Sequence, residues 1–583
     1  MGKGARGTRG LVVAAVLSAA ATWAALLPGS NAVAASTRVD PCAAFETTVR
    51  QPDPALGNGV TLSTSVEGNL FPSDMAPSLQ VGVADPSVSG ESLDLTVSDD
   101  RGPIVRHTVR LGSADSTVPL PDQPGWFKVG AQRLAGDTIL GSACVWYGVA
   151  MPGAPLDLNV LPPGKDWGGP SPSRDVDLTA QLGLSVVRRQ LNVAQFLTNP
   201  TTDQSLADAA AQAKQLGLRF VVQIGQGAAA ETAAVKNGTW GDLVKRIVAA
   251  NPTVPYWEAW NEPNTSMFFY GSAADYVNKV LAPFAQAVHA ANPQAQVVGG
   301  SALGEDDMWW GKFADLGGFK LVDVIGVHPY TWQWGAPETR GMQSILEVVR
   351  SLANKNGAGN KPIFDTESGF PSAYKGTNAD LWRQADYVSR KLVIERALGV
   401  ASGEYELEGG WQDFSVIDFF RGVKPAAMTL STTTASLRDR KFLGWSDTGV
   451  AGVQAARFSG VTVVWTTKNS AKLPLRCAVA GHDAYGDTVH ASSSLTATGS
   501  PVFLTGDASC LTTAKQHAKK AHEPKADKPA KPTPAPKADK PANDKPAKDN
   551  GKGNQSPGTS NGSGNGGNNP TPPTKGPDKP AKG

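Results

Sequence analysis

A change of rhythm near residue 156 constrains this 583-residue chain more than any other feature. From there to about residue 440, short apolar runs alternate with amphipathic stretches of helical period. Leu156–Leu161 reads as a first strand, and Ala180–Gly183 as the end of a helix. Leu184–Leu191 and Arg219–Ile224 read as strands, separated by a helix over Gln204–Gly217 that stops at a glycine. A helix near Thr239–Ala250 leads to strand Val254–Trp260. Helix Ala273–Ala291 is followed by the extended segments Gln296–Gly299 and Leu321–Val327. Then come helix Met342–Asn356, strand Lys361–Asp365, helix Asp380–Leu398, strand Gly403–Leu407 and a closing helix Ala426–Arg438. Eight strand–helix units in such a span predict an α/β fold, a (β/α)₈ TIM barrel of about 250 residues plus insertions.

The flanks have different chemistry. Residues 35–155 are rich in Val, Thr, Ser, Gly and Pro. They contain alternating runs such as Leu93–Val97, Ile104–Val109 and Ala143–Tyr147, which predict an N-terminal β-sandwich. The same rhythm returns over 441–511, for example in Gly460–Trp465, and predicts a C-terminal β domain. At the start, Lys3, Arg6 and Arg9 precede the apolar run Leu11–Leu27 and the small residues Ala32-Val33-Ala34. This pattern predicts a signal peptide over 1–34, cleaved between Ala34 and Ala35, and no later apolar run is long enough to span a membrane. From Thr512 onward the chain is a Lys/Pro/Ala-rich and Gly/Asn/Ser-rich tail with too little apolar surface to order itself.

Charge is unevenly placed. The tail holds fourteen Lys against six Asp and Glu, a surplus of eight. With a whole-chain net charge of +2, the remainder carries −6. An acidic body argues against a nucleic-acid-binding core, whereas the basic tail suits a spacer or attachment to an anionic cell envelope. The four cysteines, Cys42, Cys144, Cys477 and Cys510, allow three disulfide connectivities in an exported chain. Pairing within each proposed domain gives Cys42–Cys144 and Cys477–Cys510. Their spacing matches no zinc pattern, and no metal or other cofactor is expected.

Barrel chemistry sits at the C-terminal ends of strands. One strand end reads Glu258-Ala259-Trp260-Asn261-Glu262-Pro263-Asn264, and another reads Asp365-Thr366-Glu367-Ser368-Gly369. Glycoside hydrolysis needs two carboxyl groups flanking one bond, a protonated one to assist the leaving oxygen and an ionised one to attack or to activate water. Glu258 alternates onto the same face as Glu262 and is a rival acid without the Asn and Pro flanks. Asp365 is expected to support its strand.

Trp260-Asn261-Glu262-Pro263 resembles the acid/base motif of the clan A retaining glycosidases, and Thr366-Glu367-Ser368-Gly369 resembles their nucleophile segment. Gly326-Val327-His328-Pro329-Tyr330, followed by Pro337-Glu338, is most similar to glycoside hydrolase family 39, in particular its bacterial exopolysaccharide-cleaving members. The resemblance implies that Glu262 is the general acid/base and Glu367 the nucleophile. It implies that Asn261 donates to a sugar 2-hydroxyl, that His328 and Tyr330 orient Glu367, and that Arg188 pairs with the nucleophile, with Arg189 as the neighbouring possibility. Trp167, Trp260, Trp309, Trp310, Trp332 and Trp411 fall near barrel-top loops, where flat aromatics pack on sugar rings; Trp332 and Trp411 are the substrate-binding candidates.

The function these residues predict is a secreted hydrolase, extracellular or wall-associated, that cleaves within polysaccharide chains. An exo-acting β-xylosidase or arabinofuranosidase is the enzymatic alternative. A non-catalytic carbohydrate-binding envelope protein is the alternative from another class.

Overall fold

The computed structural model describes residues 41–43, 55–112, 114–152, 174–338, 341–373, 380–407, 413–418, 421–506 and 508–511. The expected signal peptide, the strand expected at 156–161, Trp167, Trp411 and the tail lie outside the described residues.

Seven parallel strands form one sheet in chain order: Val186–Gln190, Arg219–Ile224, Tyr256–Ala259, Gln296–Leu303, Val324–His328, Ile363–Asp365 and Val400–Ala401. Their β-branched residues are buried on both faces, as parallel strands require. Val186, Val221, Val298, Val324 and Phe364 fill the inside of the curl. Phe220, Val222 and Ile224 point the other way, into the core shared with the surrounding helices. The two edge strands meet where Ser402 O accepts from Ser185 N (3.0 Å) and Val186 N (3.1 Å). The ladder does not continue along them, so the described residues form a curled sheet rather than a closed barrel.

The last strand corrects the expectation of Gly403–Leu407. Val400 and Ala401 pair with Ile363 and Phe364 because they offer apolar side chains to a doubly buried ladder. The charged Glu404 and Glu406 are left for the sheet end. Helix Ala273–Ala291 is also not uniform: it runs as Ala273–Asp275, a wide π turn over Tyr276–Leu281, and Ala282–Ala291. Pro283 lacks the N–H that a regular helix needs at that position, and the turn widens just before it. The widened turn sets Tyr276 on the sheet, with its hydroxyl donating to Ala259 O at 2.9 Å.

Upstream of the curled sheet, a three-stranded and a five-stranded sheet enclose a separate apolar core of residues such as Leu79, Leu93, Val97 and Val129. Cys42–Cys144 ties the preceding segment to strand Thr138–Val149, on the face of the five-stranded sheet turned away from the sandwich core. Period-two alternation splits strand Gly125–Ala135 between two cores: Phe127 and Val129 join the sandwich core, whereas Trp126 joins the barrel core. Trp126 Nε1 donates to Val423 O (2.8 Å), and the Arg421 guanidinium lies 5.4 Å from the ring centre of Trp146.

Downstream, a six-stranded antiparallel sheet with a two-stranded accessory carries the Cys477–Cys510 disulfide. Glu338 ties it to the barrel by accepting from Trp465 Nε1 (2.6 Å) and Arg390 Nε (2.8 Å). Among the described residues no helix is long and apolar enough to cross a membrane.

Candidate active site

The sequence places arginines at both 188 and 189, and strand alternation sends them to opposite faces. Arg189 turns outward to Asp175 and the Phe220 ring. Arg188 turns into the mouth of the curled sheet and divides its guanidinium among three partners. Nη1 donates to Glu367 Oε2 (2.6 Å), Nη2 to Asn261 Oδ1 (2.7 Å), and Nε to Glu258 Oε2. Tyr330 OH donates to the other oxygen of Glu367 at 3.1 Å. Burial, reinforced by the charges of Glu367 and Glu262, pushes the Tyr330 phenol well above its ordinary value, so it stays a donor.

Glu262 leaves its strand through strained backbone. Trp260 and Glu262 have φ of +71° and +40°, a region that costs a non-glycine residue on the order of 1–3 kcal/mol. Trp260 N and Asn261 N bond to Ile224 O and Gly225 O, and Thr265 N bonds to Glu262 O, which together hold the bend. The bend turns Glu262 toward His328, whose Nδ1 is 3.2 Å from Glu262 Oε1. One oxygen of Glu262, one of Glu367 and a ring nitrogen of His328 lie within 4.8 Å of one another.

His328 is fully buried, and its role differs from the expected one. It contacts Glu262 and, at 3.8 Å, Glu258; it does not orient Glu367. The reason is geometric: its strand lies between those of Glu258 and Glu367, and the ring turns toward the former. Burial opposes charge on this imidazole, but the negative field of Glu367, Glu258 and Glu262 outweighs it and raises the pKa to about 9.

Glu258 has no exposed surface, and burial disfavours its charge. Arg188 foremost, then His328 and Ser301, overcome that and hold it at about 2. Ser301 Oγ (2.6 Å) and Thr366 Oγ1 (2.7 Å) both donate to Glu258 Oε1. Near neutral pH it is therefore an anion beside Arg188 and His328, poorly suited to donating a proton. The sequence assigns no role to Ser301, and Thr366 enters it only as part of the Glu367 segment. The Gly299-Gly300 pair, where the ladder register shifts before Ala302, was the available signal for the first.

The remaining residues sort by burial. Asp365 lies beneath the site, 2.9 Å from Lys391 Nζ. Trp260, Trp309 and Trp310 are core residues at 1%, 8% and 0% exposure, although their positions along the chain fall near barrel-top loops. Trp332 is 69% exposed on the loop after the His328 strand. A cavity of about 860 Å³ opens beside Glu367 and Asn261, lined also by Gln226, Phe268, Tyr405 and Glu406.

The trio Glu262, His328 and Glu367 is the one group among the described residues spaced to hold a metal ion. Arg188, 2.6 Å from Glu367, already places a positive charge beside it, which disfavours a metal cation there.

No family profile and no curated protein matches the sequence. Solved structures do match. A family 39 glycoside hydrolase from Bacteroides cellulosilyticus superposes with a TM-score of 0.60 at 14% identity, covering 76% of this chain and 100% of that one. A family 39 enzyme from Xanthomonas axonopodis pv. citri is also similar, at a TM-score of 0.38 and 14% identity, covering 57% and 89%. The first likeness shows that this chain shares the fold of that structure; the second is too distant to carry weight.

Proposed function

We propose that this chain is a secreted retaining glycoside hydrolase that cleaves within a polysaccharide, with its active site at the mouth of a (β/α)₈ barrel. The observation that carries this reading is the approach of Glu262 and Glu367 oxygens within 4.8 Å. Retaining glycosidases set their carboxyl groups about 5–5.5 Å apart, whereas inverting ones leave about 6.5–9.5 Å for a water.

Glu367 attacks the anomeric carbon as the bond to the leaving oxygen breaks, and the Glu262 proton passes to that oxygen. A glycosyl ester on Glu367 results. Glu262, now a carboxylate, takes a proton from water as the water oxygen bonds to the anomeric carbon and Glu367 departs. Arg188 and Tyr330 fix the two oxygens of the nucleophile. His328 donates through Nδ1 to Glu262 Oε1, leaving Oε2 to carry the transferred proton. Asn261, aligned by Arg188, faces the cavity where a sugar 2-hydroxyl would lie. The two disulfides support an oxidising, extracellular setting.

The test is to incubate the mature protein and its Glu367→Gln variant with bacterial and plant polysaccharides. Product size is followed by mass spectrometry, and the anomeric configuration of the first product by NMR. Oligomers of retained configuration, released by wild type alone, support the proposal. Monosaccharide alone supports an exo-acting xylosidase or arabinofuranosidase. Inverted product rules out the retaining mechanism, and saturable binding without release by either form identifies a binding protein.

A further inference from the structure

Four apolar side chains stand out by their exposure: Met267 at 74%, Tyr270 at 91%, Met308 at 84% and Trp332 at 69%. They leave the curled sheet from three strands that are neighbours in it. Met267 and Tyr270 follow Tyr256–Ala259, Met308 follows Gln296–Leu303, and Trp332 follows Val324–His328. Paired strands lie about 4.8 Å apart, so these loops form one stretch of the rim at the C-terminal end of the sheet. An apolar residue exposed singly needs no explanation, whereas a group on adjoining loops marks an interaction surface. Phe268, in the same loop as Met267 and Tyr270, lines the cavity beside Glu367, so the rim is continuous with that cavity.

The rim is tied together. Leu303 N donates to Asn264 Oδ1 (2.8 Å) and Asn264 Nδ2 to Leu303 O (3.0 Å), which joins the first loop to the second. Gly304 N donates to His328 O (2.8 Å), which joins the second to the third. In the third loop Gln333 and Trp334 have φ of +52° and +55°, a conformation that non-glycine residues keep where their surroundings impose it, often at functional sites. Trp334 packs edge-on against Tyr330 and Phe414, with ring centres 5.4 and 5.0 Å away, and Trp332 faces outward. Phe269 likewise turns in to Trp260 at 5.6 Å, and its neighbour Tyr270 turns out. Charge on the rim has one sign: segments 263–272, 303–308 and 329–337 contain Glu305, Asp306 and Asp307 and no Lys, Arg or His. Such a surface repels polyuronates and anionic lipid.

We propose that this rim is a platform for a neutral polysaccharide chain, and that it holds the portion beyond the cleaved bond, on the leaving-group side. The choice of side rests on the hydrolase reading: Glu262, which protonates the leaving oxygen, belongs to the loop of Met267 and Tyr270. Tyr270 and Trp332 offer flat faces to the C–H faces of sugar rings, and the flexible thioethers of Met267 and Met308 adapt to what lies between them. Three adjoining loops suit a chain, because successive sugars need successive contacts. Cleavage within a chain leaves sugars on both sides of the bond, and a platform outside the cavity accommodates the second side.

The experiment uses the full mature chain carrying Glu367→Gln, so that binding is read without turnover. Affinity electrophoresis is run in glucomannan, in arabinoxylan, in dextran and in sodium polygalacturonate. Retention by at least one neutral polymer is expected. Tyr270→Ala with Trp332→Ala should weaken it by about tenfold, the scale of losing two ring contacts. Leu443→Ala, at an exposed position of the C-terminal sheet, should leave it unchanged. If the double variant misfolds, Trp332→Ala alone gives the same reading. Any retention by polygalacturonate through the basic tail should not respond to the double variant. In the active background, oligomers labelled at the reducing end should be cut nearer the label by the double variant than by wild type, because the leaving portion has lost its anchor. If wild type cuts nothing, the hydrolase reading and the choice of side fall together, and retention alone decides the platform. Retention by no neutral polymer, equal retention by the double variant, an equal loss in polygalacturonate, or an unchanged cleavage position overturns the proposal. A wild-type dimer that the double variant converts to monomer, followed by sedimentation, makes the rim a contact between copies and also overturns it.

Discussion

Arg188 Nη1 lies 2.6 Å from Glu367 Oε2, while the Nε edge of the same guanidinium is held by the buried Glu258. One cation thus serves two anions of different function, a partly accessible one facing the cavity and a buried one beneath it. Glu367→Gln removes the attacking oxygen but keeps an acceptor for Arg188. Turnover should fall by about 10⁴-fold, the scale seen when a member of a catalytic group is removed, with the melting temperature little changed. Arg188→Met should lose activity and stability together, because it strands Glu258 as an uncompensated buried charge at a cost of about 3–5 kcal/mol. Chemical denaturation of the two variants separates these outcomes; equal stability loss would contradict the assigned roles.

Glu258 makes its own prediction for acid stability. Its folded pKa of about 2 lies below the ordinary 4.5. Its contribution is therefore fully present above pH 4.5 and lost as pH falls through 2. The shift corresponds to on the order of 3 kcal/mol. Glu258→Gln should flatten the acid limb of the stability curve over that window. A variant curve parallel to wild type would show that another carboxylate governs acid unfolding.

Most of the strand–helix rhythm and the β character of the flanks were legible in the sequence, because each is written in local period, whereas the last strand was not, since its two residues are too few to show a period. Nor was what crossed between strands. Period two said that Arg188 and Arg189 face opposite ways, but not which one faces inward. The motif puts His328 near the two glutamates but does not say which it meets, since its contact with Glu262 depends on the bend that Trp260 and Glu262 introduce. Trp309 and Trp310 sit in a loop-proximal stretch, yet they turn into the core with Phe313 and Phe319. Position along the chain does not report that direction.

His328 titrates on the opposite side of neutrality. Its folded pKa of about 9 lies above the ordinary 6.5. The stabilisation is present below pH 6.5 and lost as pH rises through 9, on the order of 3 kcal/mol in all. Loss of its proton also weakens its donation to Glu262 Oε1. Activity should therefore decline as pH rises through 9. In His328→Gln, whose amide can still donate but does not titrate, the alkaline limb of kcat against pH should move or disappear. An unchanged limb would assign it to another group.

Beneath the nucleophile strand, Lys391 Nζ meets Asp365 at 2.9 Å and both Glu395 and Glu404 at 3.2 Å, with every one of these side chains buried. A single cation among three carboxyls cannot match them all as anions. Burial raises Glu395 well above its ordinary value, and raises Glu404 to about 7 against the pull of Lys391. For an acid shifted upward the sign is reversed, and ionising Glu404 becomes a penalty that grows as pH rises from 4.5 through 7. Glu404→Gln should therefore raise the melting temperature at pH 8 and leave it nearly unchanged at pH 5. Lys391→Met should destabilise by about 3–5 kcal/mol at pH 8 and by less at pH 5, where Glu395 and Glu404 hold protons. Melting curves of both variants at the two pH values test this together. A Glu404→Gln protein less stable than wild type at pH 8 would mean that its pairing with Lys391 outweighs its burial.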